Sequence, residues 1–255
     1  MPYALRAFEY WLVVYRRVWR GTVMSSLLNP VLYLTALGIG LGKIVNRGGG
    51  SATLGIPYLD FVAPGMLAAV AMQVAAVESS FPVRGAIKWN RQYFAMLATP
   101  LGVADLIGGH LLYVATRVGV AATLYLAAIS AFGAVHSPLA ILAIPLCVLT
   151  GLAFAAPIAA ISAWAEEEVF NPLFRFAVMP MFLFSGSFFP VTRLPHGLRE
   201  LAYATPLWHA VDLTRHLTLG TATLGWAAMH VGYLLAWVVV GVVFARYAHA
   251  KRLVT

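Results

Sequence analysis

Charge is what this chain has least of. Only 10% of its 255 residues are Asp, Glu, Lys or Arg, against 61% hydrophobic, and its mean hydropathy is +0.83. Soluble domains carry about 25% charged residues, so a water-soluble globule is excluded and a polytopic membrane protein remains. Cysteine is almost absent too. Cys147 stands alone in an apolar run, which rules out an intrachain disulfide and leaves the redox compartment unread. The seven histidines contain no H-x-x-x-H pair, and no Cys–His or paired-carboxylate arrangement sits at ligand spacing. Neither a catalytic nor a metal site is expected. The string GIGLGK invites a phosphate-loop reading and fails it: the pattern needs Gly where Leu37 stands, and Ser or Thr where Ile44 follows Lys43. No nucleotide site of the chain's own is expected.

What is present is a series of apolar runs. A bilayer core of roughly 30 Å takes about 20 apolar residues in a helix, and six runs of that order occur, at about 22–45, 58–81, 101–132, 138–164, 172–189 and 221–244. The first exceeds a signal h-region and has no A-x-A site after it, so it reads as a retained span. Pro30 is expected to kink it, and Gly38, Gly40 and Gly42 to admit a close neighbour. Residues 1–21 form an amphipathic helix instead. Leu5, Phe8, Trp11, Leu12, Tyr15 and Trp19 share one face; Arg6, Glu9, Arg16, Arg17 and Arg20 share the other. Such a helix lies in the membrane interface, or else on the protein's own surface.

The segment PVRGAIKWNRQYFAMLATP, read as one helix at 84–100, places Arg84, Lys88 and Arg91 on one face, with Trp89, Tyr93, Met96 and Leu97 roughly opposite. Along the fourth span Gly151, Ala155, Ala159 and Ala163 make a small-residue packing stripe. Residues 190–219 are too polar to span and too apolar for a free loop. Pro190 and Pro195 break the helix before them, and short helices dipping back into the outer face are expected, shielded by protein. With six spans both termini share a side. Eleven lysines and arginines fall on it and five on the other, which favours N-in and C-in. The formal charge of +8 is scattered at span ends rather than gathered in a stripe, so nucleic acid is not a partner.

Three runs carry a resemblance: YRRVWRGTVMSSLLNPVLYLTALGIGLG, FVAPGMLAAVAMQVAAVESSFPV with IKWNRQYFAMLATPL, and MFLFSGSFFPVTRLPHGLRELAYATPLWHAVDLTR. In this order and spacing they resemble the permease subunits of ABC-2-type exporters, closest to the nodulation-factor (lipo-oligosaccharide) branch. The resemblance implies an all-α, type V exporter-like permease of the bacterial cytoplasmic membrane. It would pair with a second copy and with two copies of a separate ATPase that uses ATP and Mg. It further implies that 84–100 is the coupling element (Arg84, Lys88, Trp89, Arg91, Tyr93, with Arg16 and Arg17 beside it). Residues 190–219 would form the outer gate with Phe188, Phe189, Pro190, Pro206 and Trp208, and the substrate would be a lipid-linked or amphipathic oligosaccharide, a hydrophobic drug being the rival.

Two polar groups lie within spans. Arg117, costing about 2.5 to 3.5 kcal/mol at a helix centre, either lines the path or locks its helix through an ion pair. Gln73 has the same two readings, and Phe182 and Phe184 of the fifth span are further path candidates. Glu78, Glu166, Glu167 and Glu168 could pair with the cations of 84–100 and carry motion to the spans. His209 and His216, seven apart, fit interfacial hydrogen bonding better than metal. An ion-coupled transporter would need intramembrane carboxylates, and Asp60, Glu78 and Asp105 sit near span ends. A non-transporting scaffold is the remaining class.

Overall fold

The computed structural model of the chain describes residues 3–47 and 54–254, and, within them, the side chains outside 25–27, 29, 30, 39 and 46. Most of the polar loop expected after the first span therefore lies outside the described residues. The α-helices, in chain order, are α1 Tyr3–Tyr33, α2 Gly42–Arg47, α3 Tyr58–Ser79, α4 Phe81–Lys88, α5 Gln92–Leu97, α6 Val103–Ala131, α7 Ala143–Trp164, α8 Phe170–Leu173, α9 Met179–Phe184, α10 Leu198–Tyr203, α11 Pro206–Leu219 and α12 Leu224–Leu253. Four helical stretches among the described residues are long and apolar enough to cross a bilayer: Tyr58–Lys88, Val103–Ala131, Pro138–Trp164 and Leu224–Leu253.

Helix α7 is the hub, packing against α3, α6 and α12. Its stripe of small residues permits this: Gly151, Ala155, Ala159 and Ala163 are all buried, and a Cβ on Gly151 would stand 2.8 Å from Val118 of α6. Close backbone approach substitutes here for the hydrophobic drive that lipid removes. By contrast, α12 turns Val239, Val240, Val243 and Phe244 outward.

The N-terminal segment departs from expectation. No break separates an interfacial helix at 1–21 from a span at 22–45; α1 runs unbroken from Tyr3 to Tyr33. Gly21 is the weakest helix former at the expected boundary, and one glycine costs only about 1 kcal/mol. The irregularity falls later, as a π-helical stretch at Leu34–Leu41, beyond Pro30 and within the glycine cluster. The apolar face of α1 also meets protein. Ala7 and Trp11 are buried against α6, and Trp11 stacks on Tyr113 at 5.3 Å. Leu5 and Trp19 stay exposed.

The fifth run differs as well. Residues 170–184 are helical, first through α8, then a π-helical turn at Phe174–Val178, then α9. Fifteen residues rise about 22 Å, short of a bilayer core. The helix ends before Ser185, and 185–189 are non-helical, with Gly186 at φ +84. Residues 221–244 were expected to hold the last span; α12 instead continues to Leu253, because ARYAHAKRL contains no helix breaker.

Candidate functional site

At one end of the bundle the chain after α3 makes an elbow. It is not the single helix expected over 84–100. Helix α4 ends at Lys88, Arg91 takes the left-handed conformation (φ 49), and α5 restarts at Gln92. A positive φ on a non-glycine residue is uncommon and costly; here it turns the chain so that Tyr93 faces inward. Tyr93 is buried, with its ring 6.5 Å from Trp11 and 6.1 Å from His249. Tyr93 therefore packs against Trp11 of α1 and His249 of α12, and is not on the outer face of the elbow where the coupling element is expected to meet a partner.

Arg84 was also expected on an exposed face, and it too is wholly buried. Its Nη2 donates to Glu166 Oε2 at 2.7 Å, and Lys88 Nζ reaches both Glu166 Oε2 and Glu167 Oε1 at 3.2 Å. The Trp89 indole N–H adds a hydrogen bond to Glu167 Oε1 at 3.3 Å. These contacts clasp the elbow to the turn between α7 and α8. Lys88 and Arg84 together hold the Glu166 carboxyl below its ordinary range. Glu168 is exposed and makes no ion pair among the described residues. The elbow's outward tip is Trp89, Asn90 and Arg91, with Lys88 before it and Phe94 after it also exposed. Beside them a cavity of about 620 Å³ is lined by Lys88, Arg91 and Arg252 together with Ile87 and Phe94. Arg252 joins this cationic hollow from the end of α12, a placement that sequence spacing alone does not reveal. Helix α1 lies alongside, its Tyr10 O–H donating to Gln92 at 2.7 Å, with Arg16 and Arg17 exposed one to two turns on.

Deeper in the bundle, Arg117 has a partner. Its Nη2 and Nε lie 2.9 and 3.0 Å from Glu78 Oε1, Tyr113 donates to Glu78 Oε2 at 3.1 Å, and the guanidinium sits 5.0 Å from the Tyr15 ring centre. Of the two readings for Arg117, this geometry fits the helix lock joining α1, α3 and α6. Glu78 is accordingly tied to Arg117 rather than to the cations of 84–100. Gln73 is half-buried on α3 and makes no hydrogen bond to a described side chain.

The opposite end is built around the non-helical 185–189. Arg215 of α11 donates to Phe61 O at 3.1 Å and to Gly186 O at 2.7 Å, and Ser187 Oγ donates to Gly65 O at 3.3 Å. Buried backbone freed from a helix needs such partners. A Cβ at Gly65 would meet Ser187 Cα at 2.8 Å, so α3 must carry glycine there. Phe182 packs edge-on against Phe188 at 5.1 Å, and Phe184 faces Phe189 at 6.4 Å. Pro190 opens a short 3-10 turn, and Pro206 begins α11 behind an N-cap in which Thr205 Oγ1 accepts from the Trp208 N–H. His209 and His216 do not act together. His209 meets His230 of α12 at 2.8 Å, while His216 bonds Thr221 at 2.7 Å. Among the described residues no three His, Cys, Asp or Glu converge as metal ligands.

A helical bundle with four apolar stretches long enough to cross a bilayer among the described residues is a multi-pass membrane protein. The ABC-2 type transporter family model matches residues 8–219. The chain belongs to that family and is a permease-type subunit rather than an enzyme. It is 33% identical over 238 residues to Nodulation protein J of Rhizobium leguminosarum bv. viciae, covering 90% of each chain. It is 30% identical to Nodulation protein J of Rhizobium meliloti (strain 1021), covering 90% of this chain and 88% of that one. No solved structure gives a significant match.

Proposed function

We propose that this chain is the membrane half of an ATP-driven exporter that moves an amphipathic oligosaccharide out of the cytoplasm. Two copies form the path, and two copies of a separate ATPase, using ATP and Mg, drive it. The supporting observation is the clasp of Arg84, Lys88 and Trp89 on Glu166 and Glu167. A push on the exposed Trp89–Arg91 tip reaches α7, the hub of the bundle, through these contacts. ATP binding can shift the permease only by differential contacts in its two states, and this joint is where such contacts would be made. The cationic hollow of Lys88, Arg91 and Arg252 suits an acidic groove on the ATPase.

In this reading the elbow end and both termini are cytoplasmic. The chain crosses six times, counting the 3–47 segment and the short helix at 170–184, and α10 and α11 dip in from outside as the gate. An apolar cavity of about 260 Å³ lined by Phe176, Met181, Phe184, Leu198 and Leu201 would take an acyl chain; it would equally take a hydrophobic drug, which keeps efflux as the second reading. The deciding experiment copurifies the chain with its ATPase into lipid. Vanadate-sensitive hydrolysis stimulated by a lipid-linked oligosaccharide supports the proposal, and stimulation by apolar drugs alone supports the second reading. A chain that never associates with an ATPase overturns both.

A further inference from the structure

Beside Arg215 lies a cavity of about 160 Å³ whose walls include Phe61, Thr192, Tyr203, Trp208, Asp212 and Arg215. Drug-sized pockets run from about 300 Å³ upward, so this one admits a single ring rather than a chain. Its chemistry is mixed in a particular way. Trp208 and Tyr203 meet edge-on at 4.6 Å, and the Arg215 guanidinium lies 3.8 Å from the Phe61 ring centre. The guanidinium is held by two carbonyls and has no carboxylate within ion-pair distance among the described residues. Its Nη1 donates to no described group, although two of its N–H are fully committed through Nε and Nη2. One turn earlier, Asp212 Oδ2 accepts from Trp226 at 2.9 Å and faces His230 at 3.3 Å, while Oδ1 accepts from no described group.

We infer that this cavity is a subsite for one pyranose ring of the exported oligosaccharide, at the outer gate. A sugar ring has an apolar face for an aromatic wall and hydroxyls that both donate and accept. Arg215 Nη1 supplies the free donor pair and Asp212 Oδ1 the free acceptor. An apolar ligand would desolvate both charged groups with no compensation, at a cost of several kcal/mol. An anion would suit Arg215 but meet Asp212 as a like charge. The subsite rests on the exporter reading and deepens it, because it selects the sugar portion of an amphiphile over a hydrophobic drug.

The test uses the permease–ATPase complex in lipid nanodiscs, with Cys147→Ala removing the native thiol and Thr192→Cys placing one at the exposed rim. The probe is a neutral, unacylated trisaccharide, with decanol as the apolar comparison. The trisaccharide should slow maleimide labelling of Thr192→Cys and decanol should not. Adding Trp208→Leu should weaken protection about tenfold, a loss of about 1.4 kcal/mol. If that variant does not assemble, Asp212→Asn, which keeps the side-chain shape, should weaken it as well. No protection by the trisaccharide, equal protection by decanol, or protection unchanged in the variants would each overturn the subsite. ATP hydrolysis by the Cys147→Ala complex, measured in the same preparation, reports separately on the exporter reading.

Discussion

At the scale of single residues, the internal charges make paired contacts whose loss has a definite sign. Glu78 and Arg117 are both largely buried, at 16% and 8% side-chain exposure. Removing one partner strands the other charge. Glu78→Gln should therefore destabilise the permease by about 3 kcal/mol, read as a lowered thermal midpoint in detergent. The double change Glu78→Gln with Arg117→Met, which leaves no unpaired charge, should recover most of it. Transport lost in Arg117→Met while folding is retained would return the residue to the path. Glu166 makes the complementary prediction with pH. Its folded-state carboxyl is held down by Lys88 and Arg84, so its contribution is fully present above the ordinary carboxylate range. It is lost as pH falls through the depressed folded value. The clasp should hold at neutral pH and loosen only under acid, and Glu166→Gln should remove that acid-sensitive step from the unfolding profile. An unchanged profile would mean the clasp adds no stability.

At the scale of elements, close helix approach decides what can be altered. Gly109 of α6 faces α1 so closely that a Cβ would sit 2.5 Å from Ala7 Cβ and 2.8 Å from the Phe8 backbone nitrogen. Backbone cannot give way as a flexible side chain can. Gly109→Val should separate α1 from α6, destabilise by roughly 1–3 kcal/mol and weaken cross-linking between cysteines placed on the two helices. Gly232→Val, where nothing lies within 4 Å of the Cβ site, is the matched control and should not destabilise, because losing a mid-helix glycine offsets the β-branch. These elements also show which signals the sequence carried. Long uniform runs, the small-residue stripe of α7 and the helix-breaking Pro190 and Pro195 were legible, because each is a local property. The elbow was not. Nothing local in KWNRQYF announces a left-handed arginine, and periodicity alone set Arg84 on the cationic face although tertiary packing buries it. The pairing of Arg117 with Glu78 and the arrival of Arg252 beside Lys88 depend on which helices become neighbours, and no window of sequence contains both partners.

At the scale of the whole molecule, the fold separates two kinds of end. One gathers the elbow, the start of α1 and the end of α12, with Lys251 lying 5.0 Å from the Trp164 ring centre. The other gathers the start of α3, the turn after α6 and α11, joined through His136 and Asp60 at 2.8 Å. The packed helices α3, α6, α7 and α12 link these two ends, and the clasp lies just beyond the end of α7. The account predicts that charge and shape at the Trp89–Arg91 tip govern coupling while changes at 190–219 govern what is moved.

The most direct measurement places a photo-crosslinking cysteine at Asn90, which is exposed at the tip and whose side chain makes no bond to a described residue. With the ATPase present in inside-out vesicles, the account predicts a cross-link from Asn90→Cys to the ATPase whose yield changes between ATP-bound and nucleotide-free states. Labelling of that cysteine only from the periplasmic side, or a tip that never contacts an ATPase in either state, would contradict it.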